Sequence, residues 1–230
     1  MIFPSLDRVK AIAPGYDIVP VYMEILSDVR TPISVLKALK QVSSHTYLLE
    51  SADNSNHWGR YSFLGYDPKI ELFCKNHKMT IKDGTTRTFE CSDPAAEIRN
   101  ILSQYKSPRL EELPTFTGGF VGYFACEYIR YIEPTLDFPT PDDDSAMVND
   151  VDLMLFDKVI AFDHYKNKIY LIANISTNDL ERNYNKAELE LKVLADLVVN
   201  GKEADVPKGI LKTEFTSEFT KDEFEAVVKK

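Results

Sequence analysis

The chain has 230 residues, 44% of them hydrophobic, enough to bury a sizeable core and to argue against wholesale disorder. Its 27 Lys and Arg stand against 36 Asp and Glu, a net charge of −9. That balance argues against a nucleic-acid groove, which needs clustered positive charge, but leaves a small anionic ligand open because local fields can oppose net charge.

The opening MIFPSLDRVKAIAPGYD has prolines, charges and no long apolar run, so it reads as neither a signal peptide nor a membrane anchor. DIVPVYMEIL then alternates apolar residues as far as Ile25 and Leu26, a strand pattern. Thr31-Pro32 sets a hydroxyl N-cap before a proline at the first helical position. Val35, Leu36, Leu39 and Val42 follow on one face of that helix. A strand is expected around Tyr47–Glu50. A polar loop from Ala52 to Gly59 follows, and strands resume at Arg60.

Further strands are expected near Ile70–Lys75 and Met79–Lys82, with Asp83-Gly84 as a hairpin turn into Arg87–Glu90. Asp93-Pro94 repeats the cap-plus-proline signal and opens a helix whose Ile98, Ile101, Leu102 and Tyr105 share a face. TGGFVGYFACEYIRYIE reads as an aromatic strand passing into a helix. Its Gly118, Gly119 and Gly122 lack dinucleotide-loop spacing and fit close backbone approach in a sheet. PTPDDDS reads as solvated loop. VDLMLFDKVIAFDH and KIYLIANI read as paired strands about the Tyr165–Asn167 turn. From about Asn178, Leu180, Tyr184, Ala187, Leu191, Leu194 and Val198 form one apolar stripe of a long helix that Asn200-Gly201 stops. Many strands with a few unevenly interleaved helices define an α+β class with largely antiparallel sheets.

The tail FTKDEFEAVVKK carries a capping box, Thr220 and Glu223, and staple positions, Phe219 and Phe224. A helix this short needs something to dock on. The expectation is a chain cut from a longer protein just after a second module begins. Cys74, Cys91 and Cys126 have no CxxC spacing, and His45, His57, His77 and His164 form no ligand pattern with them, so reduced, non-metal, cytosolic thiols are expected. The sequon Asn174-Ile-Ser176 is read as accidental.

LLES at 48–51, WGRYSFLG at 58–65, GGFVGYFACEYIRYIEP at 118–134 and the FTKDEFEAVVKK tail, taken in order, resemble the anthranilate synthase large-subunit family. The resemblance implies residues 1–205 as the N-terminal region with a feedback site, and 206–230 as a linker and the first helix of a chorismate-binding domain. It also implies chorismate, ammonia and Mg2+ as reactants and cofactor, a glutamine amidotransferase subunit as partner, a cytoplasmic location, and tryptophan as inhibitor. Leu49, Glu50 and Ser51 fall in the implied inhibitor site. The catalytic residues and the Mg2+ site fall in the family's other half, so this segment alone is expected to be inactive. No nucleic-acid or membrane partner is expected. Aminodeoxychorismate synthase shares the pattern, and Glu127 stands where such sequences more often carry aspartate. A free-standing amino-acid-binding module and a scaffold that docks the amidotransferase are the readings from other classes.

The chemistry of LLES suits such a ligand. Burying an indole removes about 200 Å² of mostly apolar surface, worth roughly 5 kcal/mol before entropy. The zwitterion then needs an acceptor for its ammonium and donors for its carboxylate. Glu50 can supply the first and the Ser51 hydroxyl part of the second. Adjacent strand side chains point to opposite faces. The expectation is therefore that Ser51 contributes by side chain, and Glu50 through its backbone or as a strand-end charge. Taken singly, Glu50 reads as an edge charge, Ser51 as a turn starter, Arg60 as an ion-pairing or surface arginine and Trp58 as a core cap. Tyr61, Phe63, Tyr123, Phe124 and Tyr128 read as packing residues.

Overall fold

The computed structural model describes residues 1–28, 30–51, 59–133, 135, 148–205, 209–214 and 216–229. His57, Trp58 and the PTPDDDS loop lie outside them. In chain order the elements are α1 (Leu6–Ile12), β1 (Ile18–Leu26), α2 (Pro32–Leu39), β2 (Thr46–Leu49), β3 (Tyr61–Tyr66), β4 (Ile70–Lys75), β5 (Lys78–Lys82), β6 (Thr86–Glu90) and α3 (Pro94–Leu102). Then come β7 (Gly119–Phe124), a 3-10 turn (Cys126–Tyr128), α4 (Ile129–Ile132), β8 (Val151–Phe156), β9 (Lys158–Asp163), β10 (Lys168–Ser176), α5 (Leu180–Asn200) and α6 (Lys221–Val228).

The strands form two five-stranded sheets, β1-β10-β9-β3-β2 and β6-β5-β4-β8-β7. Every ladder is antiparallel, so the α+β expectation holds. One face of the first sheet carries Val19, Val21, Leu64, Ile160, Phe162 and Leu171. Val9 of α1, Val35 and Leu39 of α2, and the α5 stripe Tyr184, Ala187, Leu191, Leu194 and Val198 cover it. The opposite face, with Ala161, Tyr170 and Ile172, packs against Leu110, Leu113 and Phe116 of the segment after α3. The second sheet has its own core, closed by Ile98 and Ile101 of α3 and by Tyr128 and Tyr131.

The caps form as their chemistry dictates. Thr31 Oγ1 accepts from Ser34 N–H at 3.2 Å, and Asp93 Oδ1 accepts from Ala96 N–H at 2.9 Å. At Gly122 an added Cβ would run into the Asp152 carbonyl across the β7–β8 ladder. At Gly118 it would lie 2.6 Å from Asn174 Nδ2, so both glycines serve close approach.

Some expectations change. VDLMLFDKVIAFDH is two strands in different sheets, broken at Asp157, whose carbonyl accepts from Asn174 N–H and Nδ2 at 2.9 and 3.1 Å. That residue hands the chain from β4 and β7 to β3 and β10. Helix α1 has no counterpart in the sequence reading; with a single buried residue, Val9, it is too short to show a period. Val42 lies beyond α2 and is exposed, as are Leu102, Tyr123 and Phe124, which therefore are not core residues. Glu127 is exposed in the 3-10 turn, and nothing in the structure explains its difference from aspartate. Helix α6 completes its capping box, with Thr220 N–H on Glu223 Oε2 at 2.8 Å, yet buries no residue.

Candidate functional site

The site is built at one end of the first sheet, where β2, β3 and β9 stop. Strands β2 and β3 pair with Tyr47 opposite Gly65, Leu48 opposite Leu64 and Leu49 opposite Phe63. The glycine is needed there, because a Cβ on residue 65 would collide with the Tyr47 ring. That ring instead lies edge-on to Phe156, with centroids 4.7 Å apart. Leu48 turns into the main core and Leu49 to the opposite, exposed face.

One residue beyond Leu49 the chain leaves the ladder, and Glu50 resumes the inward side that Leu48 and Leu64 occupy. Its Oε1 accepts from the Ser62 hydroxyl at 3.3 Å. Ser62 is buried at 3% exposure, and its Oγ also lies 2.7 Å from His164 Nε2. Glu50, Ser51 and His164 are exposed, so the buried serine links two solvent-facing groups. The backbone repeats this juxtaposition: Ser62 faces Phe162 in the β3–β9 ladder, and His164 N–H donates to Arg60 C=O at 2.9 Å.

Arg60 is ion-paired, as expected of it. Its Nε and Nη2 donate to the two carboxylate oxygens of Asp163 at 3.0 and 2.6 Å, and its guanidinium lies over the Tyr61 and Tyr165 rings. The Asp163 side chain is fully buried, and burial alone would push its carboxyl up. The Arg60 bonds, together with the Lys166 and Tyr165 N–H groups at 3.1 Å, outweigh burial and hold it below the ordinary carboxylate range. That bidentate pair fixes the β9–β10 turn from which His164 projects.

Of the sequence-predicted residues, Glu50 enters this cluster through its carboxylate. Leu49 and Ser51 flank it on exposed positions. Ser62 and His164 escaped the sequence reading. The available signal was a serine at an inward position of an aromatic strand and a histidine directly after Phe162 and Asp163. Among the described residues no group of three or more His, Cys, Asp or Glu could hold a metal ion. Cys74, Cys91 and Cys126 are all free, and among the described residues no helix is long and apolar enough to cross a membrane.

Residues 45–230 match the family model of the chorismate binding enzyme. The chain belongs to the chorismate-binding enzyme family. Within it, the chain is 36% identical over 197 residues to anthranilate synthase component 1 of Acetivibrio thermocellus, covering 84% of this chain and 39% of that protein. Against the Acinetobacter calcoaceticus component 1 the identity is 39% over 189 residues, covering 80% and 37%. Against that of Aquifex aeolicus (strain VF5) it is 32% over 234 residues, covering 98% and 46%. The chain thus spans less than half the length of these curated relatives. A crystal structure of anthranilate synthase component I from Streptococcus pneumoniae TIGR4 aligns with a TM-score of 0.44 and 26% identity, over 73% of this chain and 36% of that one. The resemblance read from LLES, WGRYSFLG and the later motifs agrees with the named relatives of this chorismate-binding family member.

Proposed function

We propose that these residues form the N-terminal, effector-binding part of an anthranilate synthase component 1. In that reading the whole protein converts chorismate and ammonia to anthranilate as a lyase of tryptophan biosynthesis in the cytoplasm. A glutamine amidotransferase subunit supplies the ammonia, and tryptophan inhibits through Leu49, Glu50 and Ser51. Residues 206–230 are assigned to the linker and first helix of the chorismate-binding part. Catalysis and Mg2+ binding are assigned to sequence outside residues 1–230, so this segment alone is inactive. The relatives' names and the share of their length that this chain spans support the assignment.

The observation that carries the effector reading is the end of β2. A carboxylate, a hydroxyl and an imidazole gather where an apolar strand stops, with Ser51 next along the chain. An amino-acid ligand needs such an acceptor for its ammonium and a hydroxyl donor for its carboxylate.

Ser51→Phe in the protein at its full encoded length is the test. Losing one hydroxyl contact costs about 0.5–1.5 kcal/mol, more if the partner is charged. The added ring also takes ligand volume. The tryptophan inhibition constant should therefore rise at least about tenfold, roughly 1.4 kcal/mol. Uninhibited turnover and melting temperature are measured beside it. An unchanged inhibition constant in a stably folded variant removes Ser51 from the effector site. A parallel fall in stability and turnover marks it as structural. Product identification with chorismate and ammonia separates anthranilate from aminodeoxychorismate.

A further inference from the structure

Resting on the effector reading above, we propose that Ser62 and His164 are positioning residues that hold the Glu50 carboxylate ready for the ammonium group of an α-amino acid. One proton sets the polarity of the cluster. A serine hydroxyl has a single hydrogen to give and lone pairs with which to accept. Ser62 Oγ has two partners, Glu50 Oε1 at 3.3 Å and His164 Nε2 at 2.7 Å. An ionised carboxylate only accepts. With the Nε2–H tautomer on His164, the short contact is Nε2–H donating to Ser62 and the Ser62 proton goes to Glu50. The relay runs His164 to Ser62 to Glu50. The opposite polarity, Ser62 donating to a bare Nε2, leaves Glu50 without this bond.

Each member is held for that role. Ser62 is buried, so water does not readily replace either partner. The His164 ring is stacked near the Phe162 ring at 24° with centroids 6.5 Å apart, and its backbone N–H is fixed to Arg60. The cation on that same strand end, the Arg60 guanidinium, is engaged bidentately by Asp163. The Arg60 charge is thereby directed to Asp163, and among the described residues no ion pair engages Glu50, whose charge is there for a ligand. The relay engages Oε1, and a carboxylate has a second oxygen with which to meet an ammonium. An exposed glutamate otherwise spreads over many rotamers; restricting them before binding reduces the ordering cost when a ligand arrives.

The test is a double-mutant cycle on the tryptophan inhibition constant of the protein at its full encoded length, with Glu50→Ala, Ser62→Ala, and His164→Leu or His164→Gln. Ser62→Ala and His164→Leu should each raise the constant about fivefold. His164→Gln, whose amide retains an N–H to donate, should stay within about twofold of wild type. In the Glu50→Ala background Ser62→Ala should add nothing, because its effect runs through the carboxylate. Wild type that tryptophan does not inhibit overturns the effector reading and this inference together. Inhibited wild type with unchanged constants in Ser62→Ala and His164→Leu overturns the positioning role alone. So does a Ser62→Ala effect of equal size with and without Glu50, or a His164→Gln loss as large as that of His164→Leu. Melting temperatures beside each constant identify a variant that has merely unfolded, and the remaining position of the relay then decides.

Discussion

Replacing Arg60 with glutamine isolates what holds the β9–β10 turn. The variant removes the bonds of 3.0 and 2.6 Å to Asp163 and leaves a fully buried carboxylate side chain with two backbone N–H donors, from Tyr165 and Lys166. Breaking a fully buried pair by removing one partner costs about 3–5 kcal/mol. The Arg60 side chain is 31% exposed and the backbone donors survive, so the expected loss is smaller, about 2–3 kcal/mol. For a chain of this size each kcal/mol moves the melting temperature by about 2–4 °C, so a fall of about 4–12 °C is expected at pH 7. The pH dependence has a definite sign. In wild type the folded-state pKa of Asp163 is lowered, so its contribution is present above the unfolded value and is lost as pH falls through the folded one. Without Arg60, burial has lost its main opponent and the folded pKa moves up. The variant's deficit should then be largest at neutral pH and shrink between about pH 5 and pH 3. Thermal melts of both proteins across that range are the assay. A drop below 2 °C at pH 7, or a deficit that stays level or grows on acidification, would refute the reasoning.

Gly122→Ala should destabilise by more than about 2 kcal/mol in a urea titration, because its Cβ meets the Asp152 carbonyl; Gly209→Ala, with open space around it, should stay within about 0.5 kcal/mol. Thr220→Ala removes the side-chain half of the α6 capping box and should cost that helix about 1 kcal/mol. Hydrogen exchange over residues 219–229 should accelerate while the global melting temperature holds, since α6 buries nothing; a matching fall in that temperature would show α6 to be part of the core.

Much of the fold was legible because short-range chemistry and long-range packing agree. Thr31-Pro32, Asp93-Pro94 and Thr220–Glu223 each specify a cap that forms, and the α5 stripe from Tyr184 to Val198 is buried as its period requires. What failed had no local signal. The break at Asp157 depends on Asn174, 17 residues away, meeting its carbonyl. The exposure of Tyr123 and Phe124 is set by which neighbours reach β7, an edge strand. At the site, Glu50 and Ser51 stood out through an ordered set of motifs. His164 did not, because it lies 102 positions from Ser62 and only the β3–β9 register joins them.

That register also explains why polar chemistry collects at this end of the sheet. Along β2, β3 and β9 the inward positions nearest the middle are Leu48, Leu64, Ile160 and Phe162, all part of the main core. Stepping two residues outward on each strand, which preserves the face, leads to Glu50, Ser62 and His164. Each strand thus changes from apolar to polar at the same end of one face, with His164 one step beyond Phe162, the residue that lies opposite Ser62. A single polar residue at a strand end is satisfied by water and needs no partner strand. Three that face the same way and hydrogen-bond through a buried hydroxyl must be fixed together, because losing either neighbour leaves a desolvated Ser62 oxygen under-bonded. The core therefore sets the geometry of the rim: the packing that aligns Leu64 with Ile160 also brings Ser62 to His164 and presents Glu50 at the edge beside Ser51.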